Sequence, residues 1–295
     1  MAVLGIGKAN GACSLLHAAG IGYGASLSLD LKIKVALRDE PAKTPPNDSS
    51  GLLPIIIDVW RKSGKKMPQS EELHWAVRSD IPIGQGLKSS SAISIACLRA
   101  LCSATDTSLE THELVDLATE AQKRAGVTIT GSVDDSWAAA EPGWKLVDPN
   151  LPAIEGVLIE GDGPNSDEWD VLVITRGKRE LMPNSEKFLT QQHSFGKALE
   201  ALQMGEELVA LTWNGRAIAT ALNDHVGRRL SNDAFVNGGR SAGISGSGPA
   251  IVVFIPSVTA DSLINATRWY ESRGCSVLKT KVINPTKEVN EQNED

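Results

Sequence analysis

Residues 82–92 read Pro82-Ile83-Gly84-Gln85-Gly86-Leu87-Lys88-Ser89-Ser90-Ser91-Ala92, a glycine-containing turn followed by three serines. Apolar residues at the i, i+3, i+4, i+7 and i+8 spacing of one helix face come next, namely Ile93, Ala96, Cys97, Ala100 and Leu101. Glycine lets a backbone approach a ligand closely, and the amides and dipole at a helix N-terminus attract anions. The stretch therefore predicts either a phosphate-binding helix start or, without a ligand, a serine-capped helix after a glycine turn.

The stretch is not the usual P-loop. That motif, GxxxxGK[ST], requires a glycine directly before its lysine, and here Leu87 separates Gly86 from Lys88. The sequence therefore does not predict a P-loop nucleotide-binding fold.

Composition and charge narrow the class of protein. The chain has 295 residues, 41% hydrophobic and 22% charged, with a formal net charge of −7, which is ordinary for a folded soluble protein. A net negative charge argues against a general nucleic-acid binder, which needs a basic face. The N-terminus lacks the regions of a signal peptide, and the most apolar stretch, 52–60, is too short to span a bilayer. We expect a cytoplasmic protein with neither a membrane nor a nucleic-acid partner; its oligomeric state stays open.

Cysteine and histidine spacing gives no metal or disulfide signal. The four cysteines, at positions 13, 97, 102 and 275, are scattered and form no CxxC pair, and the five histidines form no HExxH pattern. We expect buried free thiols rather than a zinc site or a disulfide framework.

Patterning predicts strands and helices along the whole chain. In the first half, alternating apolar residues predict a strand over 25–37 after a glycine-rich turn at 20–24. Further elements are expected at 52–62 (helix), 74–79 (strand), 90–103 and 109–124 (helices), and 131–140 (a loop entering a short helix).

The polar, turn-rich segment 161–167 predicts a domain boundary. Beyond it we expect strands at 171–174, 250–255 and 277–283, and helices at 188–202, 206–213, 216–222 and 261–271. The charged end of the chain predicts a frayed tail. The predicted division is 1–165, 166–285 and 286–295.

Three ordered motifs resemble those of the GHMP kinase superfamily, the group of galactokinase, homoserine kinase, mevalonate kinase and phosphomevalonate kinase. The second motif is the Pro-x3-Gly-Leu-x-Ser-Ser-x-Ala pattern within 82–92, and GISGSGPA at 243–250 resembles the third. Residues 7–11 (GKANG) take the place of the first motif but lack its usual Pro-Gly pair. The resemblance implies a two-domain α+β fold: an N-terminal domain like the second domain of ribosomal protein S5, a ferredoxin-like C-terminal domain, and an active site in the cleft between them.

Within that superfamily the chain most resembles the archaeal-type shikimate kinases. Three stretches carry this: GYGASLSLDL at 22–31, GLKSSS at 86–91 and TGSVDD at 130–135. The resemblance implies ATP- and Mg²⁺-dependent phosphorylation of the 3-hydroxyl of shikimate, a step of aromatic amino-acid (chorismate) synthesis.

The resemblance also implies catalytic and metal-binding roles. Asp134 is expected to accept or orient the proton of the substrate hydroxyl, with Lys8, paired to it, or Lys88 stabilising developing charge. Ser90 and Glu120 are expected to ligate Mg²⁺, which prefers oxygen donors. The alternatives are structural: two adjacent acids are often a turn or a helix cap, Lys8 fits a surface lysine, and Glu120 fits an exposed helix glutamate.

Ligand contacts are implied in the same way. For the carboxylate of shikimate, either Arg179 or Arg240 is expected nearby, because arginine pairs with carboxylates bidentately; either could equally be a solvated arginine. Asp135 is a further substrate candidate. The expected nucleotide-binding residues are Pro82, Gly84, Gly86, Leu87, Lys88, Ser89, Ser90, Ser91, Ala92, Gly246, Ser247 and Gly248.

Two other functions remain open. The first is the same chemistry on another small alcohol, homoserine foremost, against which Lys88 and the adjacent acids Asp134 and Asp135 count. The second is a metabolite- or nucleotide-binding relative without catalysis, against which the presence of Ser90, Glu120 and Asp134 argues.

Overall fold

The computed structural model describes residues 2–177, 184–258 and 260–286, which form two antiparallel sheets with helices packed against them. The first sheet has five strands, β1 (Val3–Leu16), β2 (Gly24–Arg38), β3 (His74–Ser79), β4 (Trp144–Val147) and β5 (Val157–Gly161). They follow the order β1-β2-β4-β5, and β3 pairs with residues 33–38 at the end of β2. The second sheet has the order β7-β8-β6-β9, from β6 (Trp169–Thr175), β7 (Ser241–Ile244), β8 (Ile251–Pro256) and β9 (Ser276–Thr280).

The helices lie between these strands in sequence. In the first half they are α1 (Ala18–Ile21), α2 (Leu52–Lys62), α3 (Ser89–Thr105), α4 (Thr111–Arg124) and α5 (Val133–Ala140). In the second half they are α6 (Ser185–Leu189), α7 (Gln192–Gln203), α8 (Glu207–Ala221), α9 (His225–Val236) and α10 (Ala260–Glu271). Across the residues described, none of these helices combines the length and apolar character needed to cross a membrane.

Strand β2 shows why the period-two pattern predicted a strand. In its second half, from residue 30 onward, the residues at 31, 33, 35 and 37 are buried, while Asp30, Lys32 and Lys34 are exposed. This alternation is expected for a pleated strand with one buried face. Its first six residues, 24–29, are buried on both faces. Helix α5 packs against β2, so Ser26 and Ser28 lie beneath a helix instead of in solvent.

The prediction of helix α3 from residues 90–103 is confirmed, with the helix beginning one residue earlier and ending at Thr105. Its N-cap is Lys88, whose backbone has φ 64° and ψ 30°. This left-handed conformation is uncommon for a residue other than glycine. It turns the chain sharply from the glycine turn into the helix.

Several predictions for the second half were wrong in detail. The helices expected at 206–213 and 216–222 are one continuous helix, α8. Gly215 lies within it because a Cβ atom there would collide with the backbone of Gly243 on β7, so the interior glycine is a packing requirement rather than a break. The helix expected over 188–202 is instead two, α6 and α7. Helix α9 and strand β7 of the second half were not predicted, nor were helix α1 and strands β4 and β5 of the first half.

The two sheets are joined by a returning segment and by one buried side chain. After β9, Val282 forms a bridge with Leu29 of β2. The buried side chain is that of Asn214 on α8, which contacts the end of β1. Its Nδ2 donates to the Ser14 carbonyl (3.2 Å), and its Oδ1 accepts from the His17 amide (2.9 Å). The last strand of the first sheet ends at 161 and the first strand of the second begins at 169; the domain division at 165/166 stays a prediction.

Candidate functional site

A cavity of about 340 Å³ lies where the two halves of the chain meet. Its walls come from the end of β1, the first turns of α3 and α5, the end of α4 with the loop after it, and the turn at 246–247. From the sequence prediction it brings together Gly84, Gly86, Lys88, Ser89, Ser90, Ser91, Asp134, Asp135, Gly246 and Ser247.

Four predicted nucleotide-binding residues do not line the cavity. Leu87 (1% exposed) and Ala92 (fully buried) have their side chains in the hydrophobic core, where they hold the loop against the sheet. Pro82 is half-buried beside the cavity, and Gly248 lies behind Gly246 and Ser247. These residues therefore shape the loops around the cavity rather than facing it.

The 245–250 turn packs directly on the phosphate-loop candidate. Gly86 has φ +81°, and a Cβ atom on it would overlap the carbonyl oxygen of Ser245. Only glycine accommodates both the backbone angle and this approach. Ser245 Oγ donates to the Gly86 carbonyl (2.8 Å), and the Ala250 amide donates to the Gln85 carbonyl (3.1 Å). The second and third sequence motifs are thus hydrogen-bonded to each other.

The end of β1 completes this junction. The Ser14 amide donates to Ser245 Oγ (3.2 Å), and Ser14 Oγ accepts from the Gly246 amide (3.1 Å). The Ala12 amide donates to the Leu87 carbonyl (3.3 Å). Three segments far apart in sequence therefore fix the loop that precedes α3, leaving its serines at the cavity wall.

A cluster of buried charges faces this loop from α5 and β2. Lys88 Nζ lies 2.7 Å from Asp135 Oδ1, with the two side chains only 8% and 15% exposed. The hydroxyl of Ser26, a fully buried residue, lies 2.9 Å from Asp134 Oδ2 and 2.8 Å from Asp135 Oδ1. One cation, two carboxylates and one hydroxyl therefore form a continuous polar group at the cavity wall. We call Ser26, Lys88, Asp134 and Asp135 the carboxylate cluster.

The two carboxylates of the carboxylate cluster titrate differently. Burial, with the adjacent Asp135 charge adding to it, raises the pKa of Asp134 to about 7. Burial also acts to raise the pKa of Asp135, but the ion pair with Lys88 outweighs it, so that pKa lies below its ordinary value. For Lys88, burial is outweighed by the charges of Asp135 and Asp134, and its pKa is raised. Near neutral pH the cluster holds an ion pair beside a carboxyl group poised to gain or lose a proton.

Gln122 is a site residue that the sequence reasoning missed. It is 1% exposed and lines the cavity from the end of α4. Its Oε1 accepts from Ser91 Oγ (2.9 Å), and its Nε2 donates to Ser136 Oγ (3.1 Å) and to the Ala118 carbonyl (3.2 Å). One amide therefore ties together the start of α3, the end of α4 and the helix that carries the two acids.

Three predicted catalytic, metal-binding or substrate-binding residues also do not line the cavity. Lys8 is exposed on β1, six positions from Ser14, whose partner on β2 is Ser26. At about 3.3 Å per residue that is roughly 20 Å from the carboxylate cluster, so the predicted Lys8–Asp134 pair does not form. Glu120 is exposed on the opposite side of α4 from Gln122, and Arg240 is exposed before β7. Arg179 lies outside the described residues.

His17 is a second residue that the sequence reasoning missed. It lines the cavity directly after β1. Its Nδ1 accepts a hydrogen bond from the Ala19 amide (3.2 Å), and its ring packs against Phe188 of α6 with ring centres 4.7 Å apart. Because Nδ1 is an acceptor, the proton of the neutral ring lies on Nε2. No motif surrounds His17, so no pattern in the sequence distinguishes it from the other histidines.

The donors at the cavity fit the expected Mg²⁺ only in part. A Mg²⁺ ion carried by nucleotide phosphates needs one or two protein oxygens besides water, and the Ser90 hydroxyl offers one. Glu120 does not, because it faces solvent. Within the described segments there is no group of three or more His, Cys, Asp or Glu side chains suited to holding a metal ion.

Comparison with known proteins relates the chain to one family. Residues 55–143 match the family model described as GHMP kinases N terminal domain. Shikimate kinase of Pyrococcus furiosus is 29% identical over 261 residues, covering 84% of this chain and 90% of that protein. Shikimate kinase of Methanococcoides burtonii is 30% identical over 218 residues, covering 70% of this chain and 69% of that protein.

Solved structures give the same relationship at the level of the fold. The crystal structure of Methanococcus jannaschii mevalonate kinase superposes with a TM-score of 0.74 at 15% identity, covering 95% of this chain and 98% of that one. A structure named as that of a putative homoserine kinase from Listeria monocytogenes gives a TM-score of 0.65 at 18% identity and covers 95% of this chain and 96% of that one. At these identities the likeness concerns the fold alone.

Proposed function

Because the chain belongs to the GHMP kinase family, with the archaeal shikimate kinases as its relatives and the two-domain α+β fold of the family, we propose that it transfers the γ-phosphoryl group of ATP to the 3-hydroxyl of shikimate. Curated relatives that carry the name shikimate kinase extend over most of the chain. The observation that supports the chemistry is the carboxylate cluster, which sets a carboxyl group with a raised pKa beside the amides at the start of α3.

The nucleotide phosphates would lie at the start of α3. The loop there is narrow because Gly86 carries no side chain, and the amides of Ser89, Ser90 and Ser91 begin a helix of 17 residues. Such a terminus attracts anions through its free N–H groups and its dipole. Bound Mg²⁺ would neutralise charge on the phosphates, and the Ser90 hydroxyl is the residue that would hold it.

Asp134 is the proposed proton acceptor. A carboxylate works best as a general base when its pKa lies near the working pH, and burial raises the pKa of Asp134 to about 7. Asp134 would take the proton of the attacking hydroxyl as that oxygen bonds to the γ-phosphorus and the bond from phosphorus to the leaving ADP oxygen breaks. Lys88 stays ion-paired to Asp135 and would offset negative charge on this side of the cavity.

The carboxylate of shikimate calls for a basic side chain at the cavity. The basic side chains among the described residues that line the cavity are Lys88 and His17, and Lys88 is already paired with Asp135. Arg240 is not near the cavity, so Arg179 remains the arginine proposed for the carboxylate of shikimate. Residues 1–165 are proposed as the nucleotide-binding domain and 166–285 as the second domain.

ADP release measured with shikimate, homoserine and mevalonate as acceptors tests this proposal. We expect Mg²⁺- and ATP-dependent turnover with shikimate and little with the other two alcohols. Mass spectrometry of the product should show a single added phosphoryl group. Turnover with homoserine but not with shikimate would reassign the substrate, and absence of turnover with all three would count against catalysis.

A further inference from the structure

The Ser26 hydroxyl has more carboxylate neighbours than it has hydrogens. Its Oγ lies 2.9 Å from Asp134 Oδ2 and 2.8 Å from Asp135 Oδ1, both hydrogen-bond distances. A serine hydroxyl donates one hydrogen and accepts through its lone pairs. Both contacts are therefore hydrogen bonds at the same time only when one of the carboxyl groups is protonated and donates to Ser26.

The surroundings decide which carboxyl group holds that proton. Asp135 Oδ1 is also the atom that pairs with Lys88 Nζ at 2.7 Å, which favours the ionised form of Asp135. Asp134 has no such cation within hydrogen-bonding distance among the described residues, and its side chain is buried against Gly24 and Ser26. The chain of donors thus runs from protonated Asp134 to Ser26 and from Ser26 to Asp135. When Asp134 is ionised, the Ser26 hydrogen is free to turn towards it.

We propose that Ser26 is a positioning residue of the phosphoryl-transfer site, whose single hydroxyl hydrogen alternates between Asp135 and Asp134 and holds Asp134 in the orientation that accepts the substrate proton. The inference rests on the proposed function of Asp134. Before the reaction Ser26 donates to ionised Asp134. As the substrate oxygen bonds to phosphorus, its proton passes to Asp134. The new carboxyl group then donates to Ser26 Oγ, and the Ser26 hydrogen turns to Asp135. The proton later leaves Asp134 for solvent, which restores the first state.

Other groups near the cluster have fixed roles in this scheme. Lys88 approaches from the N-cap of α3 and keeps Asp135 ionised. His17 lies after β1, and a protonated ring there would act to lower the pKa of Asp135. Cys13, on β1 near Lys88, has its pKa raised to about 12 by burial, so it stays a neutral thiol. None of these groups replaces the hydrogen bond that Ser26 gives to ionised Asp134.

The chain supplies a matched control on the same strand. Ser28 lies two residues from Ser26 on β2, is equally buried, and its Oγ is a buried atom with no hydrogen-bond partner. Side chains two residues apart on a strand point to the same face. Ser26→Ala and Ser28→Ala therefore remove the same atom from neighbouring buried places, but only the first removes a contact with the carboxylate cluster.

The test follows the titration of the aspartate carboxyl carbons by ¹³C NMR in the full chain, with the Asp134 signal assigned by Asp134→Asn. We expect Ser26→Ala to move the titration of Asp134 upward by up to about one pH unit, because the hydrogen bond that ionised Asp134 loses is stronger than the one that protonated Asp134 loses. Ser28→Ala should leave it in place, and Ser26→Thr, which keeps the hydroxyl, should restore most of the shift. An unchanged Asp134 titration in Ser26→Ala would overturn the inference.

Kinetics give a second readout that separates this inference from the proposed function. If the enzyme turns over shikimate, the acidic limb of its kcat profile should move upward with the NMR titration in Ser26→Ala, at unchanged KM for ATP. A uniform loss of kcat without a shift of the limb would mean that Ser26 only packs.

If no acceptor is phosphorylated, the NMR titration still decides the role of Ser26. If Ser26→Ala does not fold, the comparison of Ser26→Thr with wild type decides it: a shifted Asp134 titration in a variant that keeps the hydroxyl would contradict the inference.

Discussion

A Cβ atom on Gly24 would lie 2.8 Å from Cγ of Asp134. The carboxyl group of Asp134 therefore occupies the space that any side chain at position 24 would fill, on the face of β2 that also presents Ser26. The position of the proposed base therefore depends on the glycine at position 24 of the neighbouring strand as well as on the helix that carries Asp134.

Gly24→Ala should displace Asp134 and lower kcat by about 100-fold, since a misplacement of about 1 Å in a catalytic group has costs of that order. ATP affinity should change little, because α3 is not touched. Steady-state kinetics and nucleotide binding by calorimetry measure both effects. Gly196→Ala on α7 is the control, because a Cβ atom there meets no atom within 4 Å. Equal kcat in the two variants would contradict the relationship.

Asp134→Asn should abolish most turnover, retain ATP binding and stabilise the fold at alkaline pH. The pKa of Asp134 is raised to about 7 from its ordinary value of 3.8, so the native state binds more protons than the unfolded state between these values. Stability from this group is present at low pH and is lost as pH rises through about 7. Thermal unfolding should therefore show a larger gain in Tm for the variant at pH 8 than at pH 5. The same difference at both values would refute the raised pKa.

Lys88→Met should destabilise the protein by about 3 kcal/mol at pH 8, because it leaves Asp135 buried and charged without its partner. The double variant Lys88→Met/Asp135→Asn should recover much of that loss, since it removes the unpaired charge as well. Urea unfolding of the four proteins of this cycle measures the coupling. If the two losses were additive, the ion pair would contribute nothing to stability.

Gln122→Ala should lower kcat about tenfold or more, whereas Glu120→Ala should leave kcat and the Mg²⁺ dependence near those of the wild type. Gln122 holds the starts of α3 and α5 together through Ser91 and Ser136, while Glu120 faces solvent. Titrating the rate with Mg²⁺ in both variants tests this directly. A markedly higher Mg²⁺ requirement in Glu120→Ala would revive its predicted role as a ligand.

Much of the fold could be predicted because helices, strands and turns depend on residues that are close together in the sequence. Helix α3, strand β2 and the turn at the start of α3 each follow from the spacing of apolar residues or from glycine and serine within a few positions. The contacts among residues 14, 86 and 245 could not be derived from such patterns. Only the resemblance to the GHMP kinases predicted that the segments around 86 and 245 belong to one site.

The errors at the site have particular physical causes. Glu120 and Gln122 are two residues apart, so about 200° of helix rotation separates them. Gln122 lies four residues after buried Ala118 and so on the inner face, which a helical wheel would have shown. The polar residues of β2 alternate with its apolar ones, as on a strand with one solvent face. Only the charged ones, such as Lys32, are exposed, and the change to serine at 28 and 26 marks where α5 covers the strand.

The bonds from Ser245 to Gly86 and from Ala250 to Gln85 also bear on how the protein is made. The phosphate-loop candidate is synthesised early, but the groups that fix its backbone are synthesised some 159 residues later. During translation α3 can form from its own sequence, while the loop before it waits for the chain to reach position 250. Nucleotide binding would then report synthesis of the chain as far as position 250, and a chain truncated before Ser245 would keep the serine-rich helix without the hydrogen bonds that fix its loop.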